Sequence, residues 1–102
     1  MTTTIRTTQL SAHVGQPVRL RGWVHALRLL GGINFLVLRD GWGTVQAVTQ
    51  DAADFAPLTD ANLAPETVIE LTGTVVAAPQ APGGIELHSP VLTVITPVDE
   101  AL

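Results

Sequence analysis

Residues 22–40, GWVHALRLLGGINFLVLRD, decide how this chain folds. The segment continues an alternation that begins upstream, where Val18, Leu20, Gly22 and Val24 face one way and Arg19, Arg21, Trp23 and His25 the other. A period of two with one apolar side is the pattern of a half-buried strand. Gly22, in the middle of that strand, predicts a bend or bulge such as a barrel corner needs. Gly31 and Gly32 form a flexible connection, and Ile33 to Arg39 reads as a second strand. On it Phe35 falls opposite Leu36 and Leu38, so it points away from the side that must be buried. Phe35, Trp23, His25 and Arg28 exceed what a small core requires, which makes them candidates for a surface that binds something.

Asp40-Gly41 and Gly43 flank Trp42 and predict a tight hairpin. The third strand is GTVQAVTQ (43–50), with Val45 and Ala47 on one face and Gln46 and Val48 on the other. The segment 51–66, DAADFAPLTDANLAPE, suggests a short helix, broken or begun afresh near Pro57. ETVIELTGTVVAA (66–78) is a fourth strand with an internal Gly73, and PQAPGG (79–84) is a loop. IELHSPVLTVIT (85–96) is the fifth strand, in which Pro90 marks an edge or a bulge. Residues 97–102, PVDEAL, read as an acidic tail or the start of a hinge.

The order β-β-β-α-β-β makes residues 1–102 a single all-β domain with one short helix. It suits a five-stranded Greek-key barrel of the OB type. An SH3-like barrel competes, but the helix between the third and fourth strands favours OB. Such barrels take oligonucleotides or oligosaccharides across strands 2 and 3 and the loops joining strands 1–2 and 4–5. Fold alone does not settle function.

Composition narrows the field. A chain of 102 residues, 46% hydrophobic and 14% charged, is one folded domain, too short for most two-substrate enzymes. No apolar run approaches the roughly 20 residues of a membrane helix, and MTTTIRTTQL lacks a signal-peptide core. There is no cysteine, hence no disulfide framework or thiolate metal site, and a cytoplasmic domain is the default. The net charge of −4 argues against a nucleic-acid partner, but its distribution does not. All five basic residues are arginines (Arg6, Arg19, Arg21, Arg28, Arg39), and all nine carboxylates lie at Asp40 or beyond. That asymmetry predicts a basic face, with chance segregation as the plain alternative.

The residues carry a further pattern. RGWVHALRLLGGINFLVLRDGWGTVQAV (21–48) resembles the anticodon-binding domain of aspartyl-tRNA synthetases, which reads G-W-V-x-x-x-R-D-x-G-x-x-x-F-x-x-L-R-D-x-x-G-x-V-Q. ETVIELTGTV and APGGIELHSPVLTVI extend the likeness over nearly the whole chain, and the A-P-G-G-I-E loop looks like the archaeal-type branch. That branch includes non-discriminating enzymes serving both Asp and Asn tRNAs. The resemblance implies that Phe35 stacks on the central anticodon base and that Gln46 hydrogen-bonds the same base. It further implies that Arg28 contacts the anticodon loop and that Glu86 reads the first anticodon base. The chemistry is apt: single-stranded RNA loops are read by aromatic stacking and by bonds to splayed base edges. A glutamine amide offers the donor and acceptor that the O4/N3–H edge of uracil needs.

Four positions depart from the family pattern. Leu29 stands where the arginine is followed by aspartate, Ala26 replaces a usually basic residue, and Gly41-Trp42 replaces a charged pair. They remove charge beside the RNA site and offer Trp42 as an added stacking residue. The resemblance also implies that adenylation, with ATP and Mg²⁺, belongs to a class II catalytic domain beyond the hinge. Within this chain we therefore expect no catalytic residue, no metal site and no cofactor. The expected partners are the tRNA anticodon loop (Asp or Asn), that catalytic domain and a second copy in a homodimer, with no membrane.

Plainer readings stand beside these. Phe35 can be a core residue at a strand crossing, Gln46 an ordinary solvent-facing residue, and Trp23 a packing residue at the barrel's end or on the N-terminal segment. His13, His25 and His88 are too dispersed for a metal site, and Arg39-Asp40 reads as a structural pair by the hairpin. Two other functions compete. One is a free-standing OB module for general single-stranded nucleic acid. The other is a protein-interaction or dimerisation domain in which Leu29 and Trp42 form an apolar patch.

Overall fold

A computed structural model describes residues 3–56, 58 and 67–96. Six strands are present: β1 (Thr3–Thr4), β2 (Pro17–Leu29), β3 (Asn34–Arg39), β4 (Thr44–Thr49), β5 (Val68–Ala77) and β6 (Ile85–Thr96). The five expected strands are β2 to β6, and the two-residue β1 is an addition. β2 to β4 form an antiparallel meander, β6 returns parallel to β4, and β5 pairs with both β6 and β2. The last pairing closes the sheet into a barrel.

Closure depends on β2. Its 13 residues would run about 40 Å if straight, yet its two halves pair with different strands on different sides of the barrel. The strand must therefore bend. Pro17 to Trp23 pair with β5, and Trp23 to Leu29 pair with β3. Gly22 sits at the hand-over, where a Cβ would collide with the Arg39 carbonyl oxygen. Gly73 does similar service on β5: a Cβ there would lie 3.1 Å from the His88 carbonyl oxygen. Opposite it the β5–β6 register shifts by one between Thr72 and Thr74, so that Ser89 and Pro90 of β6 together face the single residue Gly73. Ser89 takes a positive φ of 54° there, so Pro90 marks a bulge, as expected.

The core follows the alternation. Val18, Leu20, Leu36, Leu38, Ala47, Ile69, Leu71, Val75 and Leu87 are fully buried. Phe55 joins them from the β4–β5 connection. That connection begins with a 3₁₀ helix, Ala52–Phe55, in which the Asp51 carboxylate accepts from the Ala53 N–H at 2.9 Å. The helical break expected near Pro57 lies outside the described residues, as does the tail at 97–102.

A second 3₁₀ helix, Thr7–His13, precedes the barrel and was not expected. Asp40 anchors it. Its carboxylate, 5% exposed, accepts from the Thr7 N–H and hydroxyl at 2.8 Å and from the Trp42 and Gly43 N–H groups at 2.9 Å. Burial pushes this carboxyl's pKa up, but the bonds from Thr7, Trp42 and Gly43 outweigh it and hold it below the ordinary value. The Arg39-Asp40 pair expected from sequence is thus replaced by a different one. Asp40 serves the hairpin backbone and Thr7, while Arg39 is exposed.

Candidate nucleic-acid interface

A β-bulge creates the outer face. Between Val24 and Ala26 the β2–β3 register shifts by one, leaving His25 as the extra residue. Before the bulge the even-numbered residues of β2 point inward; after it Leu27 packs on the core, and Ala26 and Arg28 turn outward. Arg28 then stands opposite Phe35, Phe35 opposite Val48, and Val37 opposite both Ala26 and Gln46. One continuous outer strip results, carrying an aromatic ring, a guanidinium and a primary amide.

This strip floors a groove of about 590 Å³ lined by His25, Arg28, Phe35 and Gln46, with Leu30 and Gln80 at its rim. Leu30 comes from the β2–β3 loop and Gln80 from the β5–β6 loop, the two connections that border the binding face of OB barrels. Phe35 and Gln46 are half-buried, and Arg28 is exposed. The β2–β3 loop is shaped by Asn34, which is fully buried. Its Oδ1 accepts from the Leu30 N–H at 3.1 Å, and its Nδ2 donates to the Gly31 carbonyl at 3.2 Å and the Thr49 carbonyl at 3.3 Å. Gly31 takes φ +89°, where a Cβ would be strained.

Three of the four candidate residues, Arg28, Phe35 and Gln46, therefore share one groove. Glu86 does not line it. It lies on a neighbouring groove of about 680 Å³ with Ile33, Val48, Asp54 and His88. It meets the first groove through Gln46, whose Nε2 donates to Glu86 Oε2 at 3.5 Å. The other carboxylate oxygen lies 2.7 Å from His88 Nε2. Sequence reasoning missed Asn34, Leu30 and Gln80. An asparagine in step with the inward-facing Leu36 and Leu38, just after a Gly-Gly turn, is the sequence signal that points to Asn34.

The remaining aromatic and basic residues are placed elsewhere. Trp23 is half-buried on the outer face, in register with Arg39, the last residue of β3, and with Val68, the first residue of β5, so it stands where both neighbouring strands end, at the barrel's end as expected. Trp42 is 57% exposed beyond the far end of β3, with the Arg6 guanidinium 4.3 Å from its ring centroid. Leu29 faces Asn34 at the opposite end of that strand. Five residue steps, roughly 17 Å, separate the two ends, so Leu29 and Trp42 do not form the single apolar patch that the interaction reading required. Glu70 takes both Arg19, at 3.2 Å, and Arg21, at 3.5 Å. Among the described residues Arg6, Arg28 and Arg39 have no carboxylate at ion-pair distance. No group of three or more metal-ligating side chains occurs among them either, and no helix there is long and apolar enough to cross a membrane.

The closed barrel and its loop-rimmed open face define a small OB fold of the kind that engages oligomeric ligands. Residues 18–95 match the tRNA anti-codon family, described as OB-fold nucleic acid binding domain, and the chain belongs to that family. It is 42% identical, over 93% of its length, to an aspartate–tRNA(Asp/Asn) ligase of Deinococcus radiodurans. It is 41% identical, over 91% of its length, to an asparagine–tRNA ligase of Sorangium cellulosum. The crystal structure of asparaginyl-tRNA synthetase from Pyrococcus horikoshii superimposes with a TM-score of 0.76 at 33% identity, covering 92% of this chain and 22% of that one. The chain spans about a fifth of the length of the curated relatives it matches, 20% and 21% of these two.

Proposed function

We propose that this domain recognises the anticodon loop of Asp and Asn tRNAs on behalf of an aspartate–tRNA ligase of the non-discriminating type. The observation that carries this reading is the juxtaposition of Phe35, Gln46 and Arg28 in one groove. In it Phe35 provides the stacking platform, Gln46 reads the Watson–Crick edge of the stacked base, and Arg28 meets a loop phosphate. Orientation favours a uracil. With its nitrogen turned toward Glu86, the Gln46 amide keeps one N–H for a carbonyl such as O4 and its oxygen for N3–H. The central base of both Asp and Asn anticodons is U, and the two anticodons differ only at their third base.

On this reading the domain performs no chemistry itself. It grips the tRNA so that the acceptor end reaches a class II catalytic domain of the same enzyme, working as a homodimer in the cytoplasm. Similarity to ligases for both amino acids supports the Asp/Asn assignment. The test is titration of the 102-residue chain with tRNA transcripts changed singly at the three anticodon positions. Loss on changing the first or middle base, with C and U equivalent at the third, is the expected result. Equal affinity for all transcripts would overturn it in favour of a sequence-tolerant binder. No binding to any would overturn RNA recognition altogether.

A further inference from the structure

The contact between Gln46 and Glu86 does not end with Glu86. Only about a tenth of the Glu86 side chain is exposed (10%), and a carboxylate so far withdrawn from water needs partners for both oxygens. It has them: His88 Nε2 at 2.7 Å from Oε1, and Gln46 Nε2 at 3.5 Å from Oε2. The strands make this arrangement natural. β4 and β6 run parallel with Ala47 opposite Leu87 and Val48 opposite His88, so Gln46, Glu86 and His88 cluster on the outer side of one seam. Glu86 and His88 are two residues apart on the same face of β6.

We propose that His88 is a specificity-determining positioning residue, acting through Glu86 to set which way the Gln46 amide faces. This rests on the anticodon reading and assigns His88 a part in it. A carboxylate can only accept, so Glu86 compels Gln46 to turn its nitrogen toward β6 and its oxygen toward the base. The bond to Gln46 is long, and by itself it holds the amide weakly. The short contact from His88 fixes the carboxylate in the position from which it holds Gln46. Without His88, Glu86 is free to leave for solvent, and the amide can rotate so that it offers donor and acceptor in the wrong order. A flipped amide matches the N4–H₂/N3 edge of cytosine instead of the O4/N3–H edge of uracil. His88 itself never touches the base.

The test compares the unaltered chain with His88→Ala and His88→Gln. Each is titrated with anticodon stem-loops that carry U or C at the middle position and are otherwise identical. His88→Ala is expected to lower the preference for U by about fivefold to tenfold, the worth of one oriented hydrogen bond. Stacking on Phe35 should preserve binding of the C loop. His88→Gln, whose Nε2 can donate to Glu86, is expected to restore the preference. The side-chain amide resonances of Gln46 should move in His88→Ala and return in His88→Gln, a readout that needs no RNA. A preference for U in His88→Ala equal to that of the unaltered chain overturns the proposal. If the unaltered chain shows no preference between the two loops, the anticodon reading itself fails, and this inference with it.

Discussion

The chain has two phenylalanines, and the barrel uses them for opposite ends. Phe55 is fully buried among the core leucines, whereas Phe35 lies half-exposed on the sheet's outer face. Phe35 contributes little to the core, so Phe35→Ala should leave thermal unfolding nearly unchanged. It should weaken anticodon stem-loop binding by about 1–3 kcal/mol, measured by titration. Asp40 shows the reverse balance. Its four accepted bonds tie the N-terminal 3₁₀ helix to the β3–β4 hairpin, and it does not line the groove. Asp40→Ala should cost about 2–3 kcal/mol in denaturant unfolding, because buried N–H groups lose a charged acceptor. The same carboxylate imposes a pH dependence. Its folded pKa is lowered relative to the unfolded chain, where an aspartate titrates near about 3.9. Its stabilisation is fully present above that value and is lost as pH falls through the lower folded one. Acid unfolding of Asp40→Asn, compared with the parent, measures this contribution: the gap in stability between them should narrow below about pH 4.

Among the strands, β2 does most to connect the fold with the interface. Alternation from Val18 to Val24 was legible, as were the bends at Gly22 and Gly73 and the bulge at Pro90. The parity change at His25 was not. Extended past Val24, strict alternation places Ala26 and Arg28 on the buried side with Leu20 and Val24, and only the extra residue turns them outward. No residue type announces that bulge; it arises because β2 leaves β5 and takes up β3 in a different register. The family pattern supplied Arg28 where periodicity could not. The hairpin glycines signalled a turn, but nothing in RDGWG showed that Asp40 would reach Thr7, 33 residues earlier, and not pair with Arg39. The glycine at the hand-over is the most constrained position of the strand. Gly22→Ala should destabilise the domain by several kcal/mol, about 2 or more, since the clash is with backbone and not with a flexible side chain. Urea titration followed by tryptophan fluorescence would register it, and an unaltered midpoint would show that β2 can shift at the crossing.

Taken together, the charges give a domain of net −4 only a weak electrostatic hold on RNA. The arginines fall on β2, β3 and the N-terminal segment, but Glu70 neutralises two of them. Few cations therefore remain to meet phosphates, and affinity should depend only gently on salt. Each phosphate neutralised on a single strand contributes about 0.7 to the slope of log K against log salt. A total slope near 1 to 2 is expected, falling by about 0.7 in Arg28→Ala. A slope that Arg28→Ala leaves unchanged would remove Arg28 from the phosphate contacts. Recognition in such a domain leans on stacking and base edges more than on charge, in keeping with Ala26 and Leu29 beside the single groove arginine.

The parallel joint between β4 and β6 has one more consequence. Two register pairs, Ala47 with Leu87 and Val48 with His88, hold that side of the barrel shut, while β5 and β6 are joined along most of their length. Gln46, the proposed base reader, and Glu86, which accepts from its amide, sit one on each lip of this short seam. On the proposed reading, a nucleotide seated across it would work as a clasp. Whatever free energy it spends on being recognised also resists the breathing of the barrel, so the bound domain should exchange the amide hydrogens of residues 46–48 and 86–88 more slowly than the free one.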